Sequence, residues 1–279
     1  MQAVFFVPDQ FPTIQEAVDS VVGPTTIMVV PGAYDETVVV RDRPSVVIES
    51  TRLGKRGVTI TGRDDAGVLV VERSTLHLSG IEVRSNGRRR GFCVTDSTLS
   101  LQDCVVAGNR TGTGTGAEHP EGGSGAGLWC RDSSIRIQKS TIAGNTADAS
   151  GTAGAARGGG LFLERCTVEI AGSTVSANAA YADTRASGGG IWCSRGRMRM
   201  WRSRVTDNAL RATLCEGAGH YLEDLLDGQL GGSVITGNGS AEGRGGGLYV
   251  AGDPAGVSIH GNTVVRQNHP EDVFPGIGR

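Results

Sequence analysis

One spacing recurs along this chain and limits what it can fold into. Segments that open on Gly and close on Asn keep a constant length: Gly91–Asn109, Gly127–Asn145, Gly160–Asn178 and Gly190–Asn208 run 18 steps, and Gly67–Asn86 and Gly219–Asn238 run 19. The connections from each Asn to the next Gly vary, at 5, 18, 15, 12, 11 and 9 steps. A constant core with one variable loop is what a solenoid produces. Each rung turns at the same place, so insertions collect along one edge.

Apolar residues sit at fixed offsets from the opening Gly. Offset 1 holds Leu128, Leu161, Ile191 and Leu248, and offset 3 holds Val94, Cys130, Leu163, Cys193, Leu222 and Val250. Offsets 8 and 10 hold pairs such as Leu99/Leu101 and Met198/Met200, and offset 15 holds Val106, Ile142, Val175 and Val205. Each group spans a few residues with period 2, which predicts three short strands per turn. Helices are excluded, because the pattern is too short and 44 of 279 residues are Gly, about twice average usage. Rungs stacked about 4.8 Å apart close the core and pair in parallel. Like residues then stack on like. Asn109, Asn145, Asn178, Asn208 and Asn238 predict an asparagine ladder, and Ser140, Ser173, Ser203 and Ser233 with Cys104 a second structural column.

The chain reads as a single domain over 1–279. Residues 1–25 form a cap, with Ile14, Val18, Val21 and Val22 on one side of a short helix; rungs fill 26–268, and 269–279 is an irregular tail. The stretches Phe11-Pro12-Thr13-Ile14-Gln15-Glu16-Ala17-Val18 and Ile27-Met28-Val29-Val30-Pro31-Gly32-Ala33-Tyr34 resemble the opening of pectate-lyase-like right-handed parallel β-helix proteins. Ser140-Thr141-Ile142-Ala143-Gly144-Asn145 and Gly158-Gly159-Gly160-Leu161 are similar to their coils. The resemblance implies an all-β, single-stranded right-handed parallel β-helix with a short capping helix. It is poor for function, since that fold hosts lyases, hydrolases, epimerases, esterases, tailspikes and non-catalytic modules. Catalytic motifs of the group are missing; Gly217-Ala218-Gly219-His220 only partly echoes a Gly-His-Gly element, and Asp64-Asp65 lies in an early rung without partners.

Charge excludes some partners. Lys+Arg is 27 and Asp+Glu 29, a net charge of −2, which gives no drive toward nucleic acid or anionic membranes. No run of 18 apolar residues exists, so no transmembrane helix is expected. The start lacks a basic region before its short apolar stretch and does not read as a signal peptide. None of the six cysteines forms a CxxC pair. Cys130 and Cys193 share an offset but lie two rungs apart, beyond disulfide reach. Free thiols in a reducing, cytoplasmic compartment are expected.

Because offsets 1 and 3 face inward, offset 2 faces out, and it carries Cys93, Trp129, Phe162, Trp192, Tyr221 and Tyr249. Two readings stand. The row is a stacking platform for sugar rings at the floor of a loop-walled groove, or it is a second, minor core beneath those loops. The loops offer Glu118, His119 and Glu121, then Arg157, then Tyr181, Asp183 and Arg185, then Arg211, Cys215 and Glu216, then Glu242 and Arg244. Such residues supply an acid, a base and an anion clamp, and are also what solvated loops contain. His220 breaks the apolar pattern at offset 1, in a rung with one extra residue. It is either turned toward the groove as acid or base, oriented by Glu216 or Glu223, or it is a satisfied core histidine.

The candidate catalytic set is His220, Glu216, His119, Asp183 and Arg185. Trp129, Phe162, Trp192, Tyr221, Tyr249, Arg157, Tyr181 and Arg211 are the candidate substrate-binding residues. No cofactor is expected, although Glu223, Asp224 and Asp227 supply oxygens of the kind Ca²⁺ takes. The Arg-rich run over 195–204 reads as cross-rung charge pairing, with Arg136, Glu169 and Arg199 sharing offset 9 and Arg131 and Glu164 offset 4. Together these residues suggest an enzyme acting on a carbohydrate or similar polyhydroxylated substrate by lyase, epimerase or hydrolase chemistry, as an intracellular tailoring enzyme. The alternative is a non-catalytic binding or structural β-helix.

Overall fold

The computed structural model describes residues 2–52, 57–62, 67–87, 89–112 and 123–275. The strand after each opening Gly, as in Leu161–Glu164, Ile191–Ser194, His220–Glu223 and Leu248–Ala251, joins a nine-stranded first sheet. The second strand of each rung, as in Arg197–Trp201, joins a ten-stranded sheet, and the third, as in Arg204–Thr206, another nine-stranded one. Neighbouring rungs pair in parallel and in register, so Leu163 lies between Cys130 and Cys193. This is a parallel β-helix. Its core runs from Val7 to Val257 and stacks the apolar offsets on one another.

The repeat's invariant letters have physical causes. At the opening Gly, adjacent rungs approach so closely that a Cβ on Gly190 would meet the Gly219 carbonyl oxygen at 2.7 Å. The Asn column is a buried ladder. Asn178 donates from its backbone and its side-chain amide to Asn208 Oδ1, both at 3.0 Å, and from Nδ2 to the Ile142 carbonyl at 3.0 Å. The pattern runs from Asn109 to Asn268 and satisfies turn groups that water cannot reach. The serine column does the same work at the next corner.

The long connections build a fin. Thr146–Asp148, Ala179–Tyr181, Ala209–Arg211 and Gly239–Ser240 run outward as a four-stranded sheet. Ala156–Arg157, Arg185–Ser187 and Leu214–Glu216 return as a three-stranded one. Their facing sides bury Ala147, Ala156, Ala180, Ala186, Leu210 and Cys215, a thin core of its own.

Three boundaries differ from the sequence reading. Ala3–Val7 already pairs with Thr25–Val29, so the solenoid begins before its capping helix, Ile14–Asp19. Val273–Phe274 pairs with Leu248–Tyr249, so the tail contributes a further strand. The extra residue of the Gly219 rung is absorbed after Glu223, ahead of the strand Asp227–Gly231, and leaves His220–Glu223 in register with Ile191–Ser194.

Candidate functional site: the angle between the fin and the ring row

In-register stacking places identical positions face to face at the interstrand spacing. On the outer side of the first sheet this lines up flat rings. Trp129 and Phe162 stack at 6.0 Å, Phe162 and Trp192 at 4.5 Å, Trp192 and Tyr221 at 6.1 Å, Tyr221 and Tyr249 at 5.3 Å, and Tyr249 and Phe274 at 5.4 Å. Interplanar angles are 2° to 13°. The platform expectation is therefore corrected. Ring faces are spent on one another, and Trp129 through Tyr221 are buried. Arginines from beside the row cover it: Arg157 lies 5.6 Å from the Trp192 centroid, Arg185 5.8 Å from Tyr221 and Arg244 5.1 Å from Phe274, within cation–π range.

Alternation along the returning fin strand explains why arginines arrive there. Ala156, Ala186 and Cys215 point into the fin, so Arg157, Ser187 and Glu216 share the opposite side in one register column that Arg244 extends. Glu216 is buried. One carboxylate oxygen accepts from Arg185 Nη2 at 2.7 Å and Nε at 3.1 Å, and Tyr249 also hydrogen-bonds it. Arg185 Nη2 donates to Tyr221 Oη at 3.0 Å, and Tyr221 in turn reaches Glu223 Oε1 at 3.5 Å. Burial pushes the Tyr221 phenol up to about 12, with Glu223 adding and Arg185 opposing. Burial, then Glu216, raises Tyr249 as well. Both phenols are thus neutral donors at pH 7. Arg157 and Arg244 form no ion pair among the described residues. Farther along the sheet, Glu164 is closed off by Arg131 at 2.7 Å, Arg165 at 3.2 Å and Arg195.

Arg185, Glu216, Tyr221, Tyr249 and Arg157 thus converge, beside the row of Trp129, Phe162 and Trp192. Tyr181 and Arg211 do not join them; they pair with each other's strand on the outer side of the fin's outgoing sheet. Asp183 is engaged near the fin tip, where it accepts the Gly151 N–H at 2.8 Å. His119, with Glu118 and Glu121, lies outside the described residues, as does Asp64-Asp65.

His220 requires a correction. It keeps its inward offset between Ile191 and Leu248, is fully buried, and neither ring nitrogen has a hydrogen-bond partner. The expected turn toward the groove does not occur, because the extra residue is absorbed downstream. It is the core histidine of the other reading, with the Gly247 backbone beside its ring but short of a full hydrogen bond. Burial pushes its pKa down to about 3, against a smaller opposing contribution from the Gly247 backbone. A neutral ring sealed in the core cannot exchange protons with a ligand outside.

Of the carboxylates considered for Ca²⁺, Glu223 faces Tyr221 and Asp227 pairs with Arg199 at 3.0 Å. Among the described residues no group of three metal-ligating side chains exists. The charge ladder Arg136–Glu169 forms at 3.0 Å, while Arg199 turns to Asp227. All six cysteines are buried free thiols. No helix among the described residues is long and apolar enough to cross a membrane. Sequence reasoning missed Phe274, which ends the row, and left Arg244 among the loop candidates outside the chosen sets; the signal for both was their place one rung beyond Tyr249 and Glu216.

The architecture and this outer-face site define a right-handed parallel β-helix protein. The chain belongs to the family described as the right handed beta helix region, whose model matches residues 66–264. Curated proteins gave no match. Among solved structures, the pectin methylesterase of Aspergillus niger is similar at 13% identity and a TM-score of 0.53, over 92% of this chain and 82% of that one. The pectin methylesterase PemA of Erwinia chrysanthemi is similar at 10% identity and 0.52, over 89% and 80%. A pectin methylesterase variant in complex with a hexasaccharide is similar at 9% identity and 0.52, over 89% and 80%. At these identities the likeness is one of fold.

Proposed function

We propose that this chain is an enzyme acting on a carbohydrate, with an acidic saccharide laid along the solenoid axis in the angle between the fin and the ring row. The observation that carries the reading is Glu216, a buried carboxylate on the rim of that angle, held by Arg185 and flanked by two neutral phenols. A carboxylate base beside phenolic acids suits the proton transfers of a lyase, an epimerase or a hydrolase. Arg157 and Arg244 stand three rungs apart in one column, about 14 Å at the interstrand spacing, and their unpaired guanidinium groups suit two anionic groups of an extended ligand. The carbohydrate-acting enzymes that share the fold support the same substrate class.

The test is turnover of uronate, neutral-glycan and small-metabolite panels by the wild type and Glu216→Gln. The variant is expected to stay folded and lose about 10²–10⁴-fold in kcat; undiminished turnover removes Glu216 from the chemistry. A second reading, a non-catalytic binding module, is favoured by one observation, that Arg185 is already spent on Glu216. It predicts saturable binding along the column with no product.

A further inference from the structure

We infer a second saccharide site on another face of the solenoid, at Trp201. This residue ends the strand Arg197–Trp201 of the second sheet and is 37% exposed, whereas Trp129 and Trp192 are buried. The rungs on either side are stripped of side chains around it. Ala171 and Gly172 lie on one side, Gly231 and Gly232 on the other, and with Trp201 and Arg202 they line a depression of about 430 Å³.

The turn itself does not demand these glycines. The position that Gly172 and Gly232 occupy is left-handed in each rung from Gly80 to Gly261, and it accepts Asp103, Lys139 and Arg202 elsewhere. Gly231 is demanded by Trp201, since a Cβ there would overlap the indole. The result is an exposed indole resting on glycine, with open space beside it and a guanidinium at its edge.

Arg202 has no ion pair among the described residues, and the acids of this sheet in the two flanking rungs, Glu169 and Asp227, are taken by Arg136 and Arg199. The local charge is therefore positive. A shallow site of this kind, with an indole and a planar cationic fork, fits one sugar ring carrying a carboxylate: the ring's C–H side meets the indole and the carboxylate meets Arg202. The volume lies in the range of small-ligand pockets, about 300–1,000 Å³. The inference does not rest on the groove, which lies on the first sheet.

Acrylamide quenching of tryptophan fluorescence tests it on the full chain, with oligogalacturonate as the probe and a neutral malto-oligosaccharide and UMP as controls. Oligogalacturonate is expected to protect the one exposed tryptophan at millimolar concentration. Isothermal titration calorimetry with the same oligogalacturonate measures affinity where the reporter is gone: Trp201→Ala, and Gly231→Val which expels the indole, should each weaken binding about ten-fold. Trp201→Ala should leave the turnover of short substrates unchanged. Protection should persist in Glu216→Gln, so failure of the groove leaves this site standing. No protection, equal protection by UMP, loss of protection in Glu216→Gln, or unchanged affinity in Trp201→Ala overturns the site.

Discussion

Replacing His220 by Leu is expected to stabilise the protein, and by more at low pH than at high. The imidazole sits between Ile191 and Leu248, and neither nitrogen makes a full hydrogen bond, the Gly247 backbone compensating only in part. A buried unpaired polar group costs about 1–3 kcal/mol, and a volume-conserving apolar swap at such a site costs less than about 1.5 kcal/mol. A net gain of up to about 3 kcal/mol at pH 8 follows. Below pH 6.5 the gap widens. The folded pKa of about 3 lies beneath the unfolded value near 6.5, so between them the unfolded chain binds the extra proton. The wild type's stability is fully present above pH 6.5 and falls as pH drops toward 3, by up to about 1.4 kcal/mol per unit. Leu does not titrate, so at pH 5 the variant's advantage grows by about 2 kcal/mol. Urea unfolding followed by circular dichroism at pH 8 and pH 5 measures both differences. A variant less stable than wild type at both pH values, or an advantage that does not change with pH, would refute the burial of an unpaired imidazole.

Other perturbations probe other joints of the solenoid. Asn178→Ala removes the side-chain partners of the Ile142 carbonyl and of the Asn145 backbone N–H, and should cost on the order of 3 kcal/mol in a denaturant titration. Gly190→Ala forces a Cβ against the Gly219 carbonyl; it should lower the unfolding midpoint, and a neutral effect would contradict the close rung contact. Phe162→Ala empties a fully buried place between two stacked rings and should cost about 3–5 kcal/mol. Burial raises the pKa of every cysteine, Cys93 and Cys104 to about 11, so iodoacetamide at pH 8 should label none in the folded protein by mass spectrometry, and all after denaturation.

Much of the fold was legible because its cause is local and repeated. The Gly to Asn interval records a fixed rung, and inward offsets such as Leu163 and Met198 record which side faces the core. The fin was not legible, since Ala156-Arg157 and Leu214-Cys215-Glu216 alternate over too few residues to stand out from a loop, and their inner side uses alanine where a core usually shows larger residues. The site was legible in part for the same reason. Offset 2 identified the rings, but whether Trp192 shows its face or its edge depends on Phe162 and Tyr221 in the neighbouring rungs. That Glu216 and Arg185 converge while Tyr181 and Arg211 do not depends on the fin's two sides. His220 misled because an inserted residue and a polar letter shared one rung, although the insertion sits beyond Glu223.

The central claim is that the substrate lies in the angle between the fin and the ring row. A crystal structure of Glu216→Gln with the saccharide that the wild type turns over tests this most directly. The account predicts a ligand running along the axis from Arg157 to Arg244, with a sugar oxygen or ring carbon beside residue 216. A ligand bound only on other faces, with the Arg157–Arg244 column empty, would contradict it.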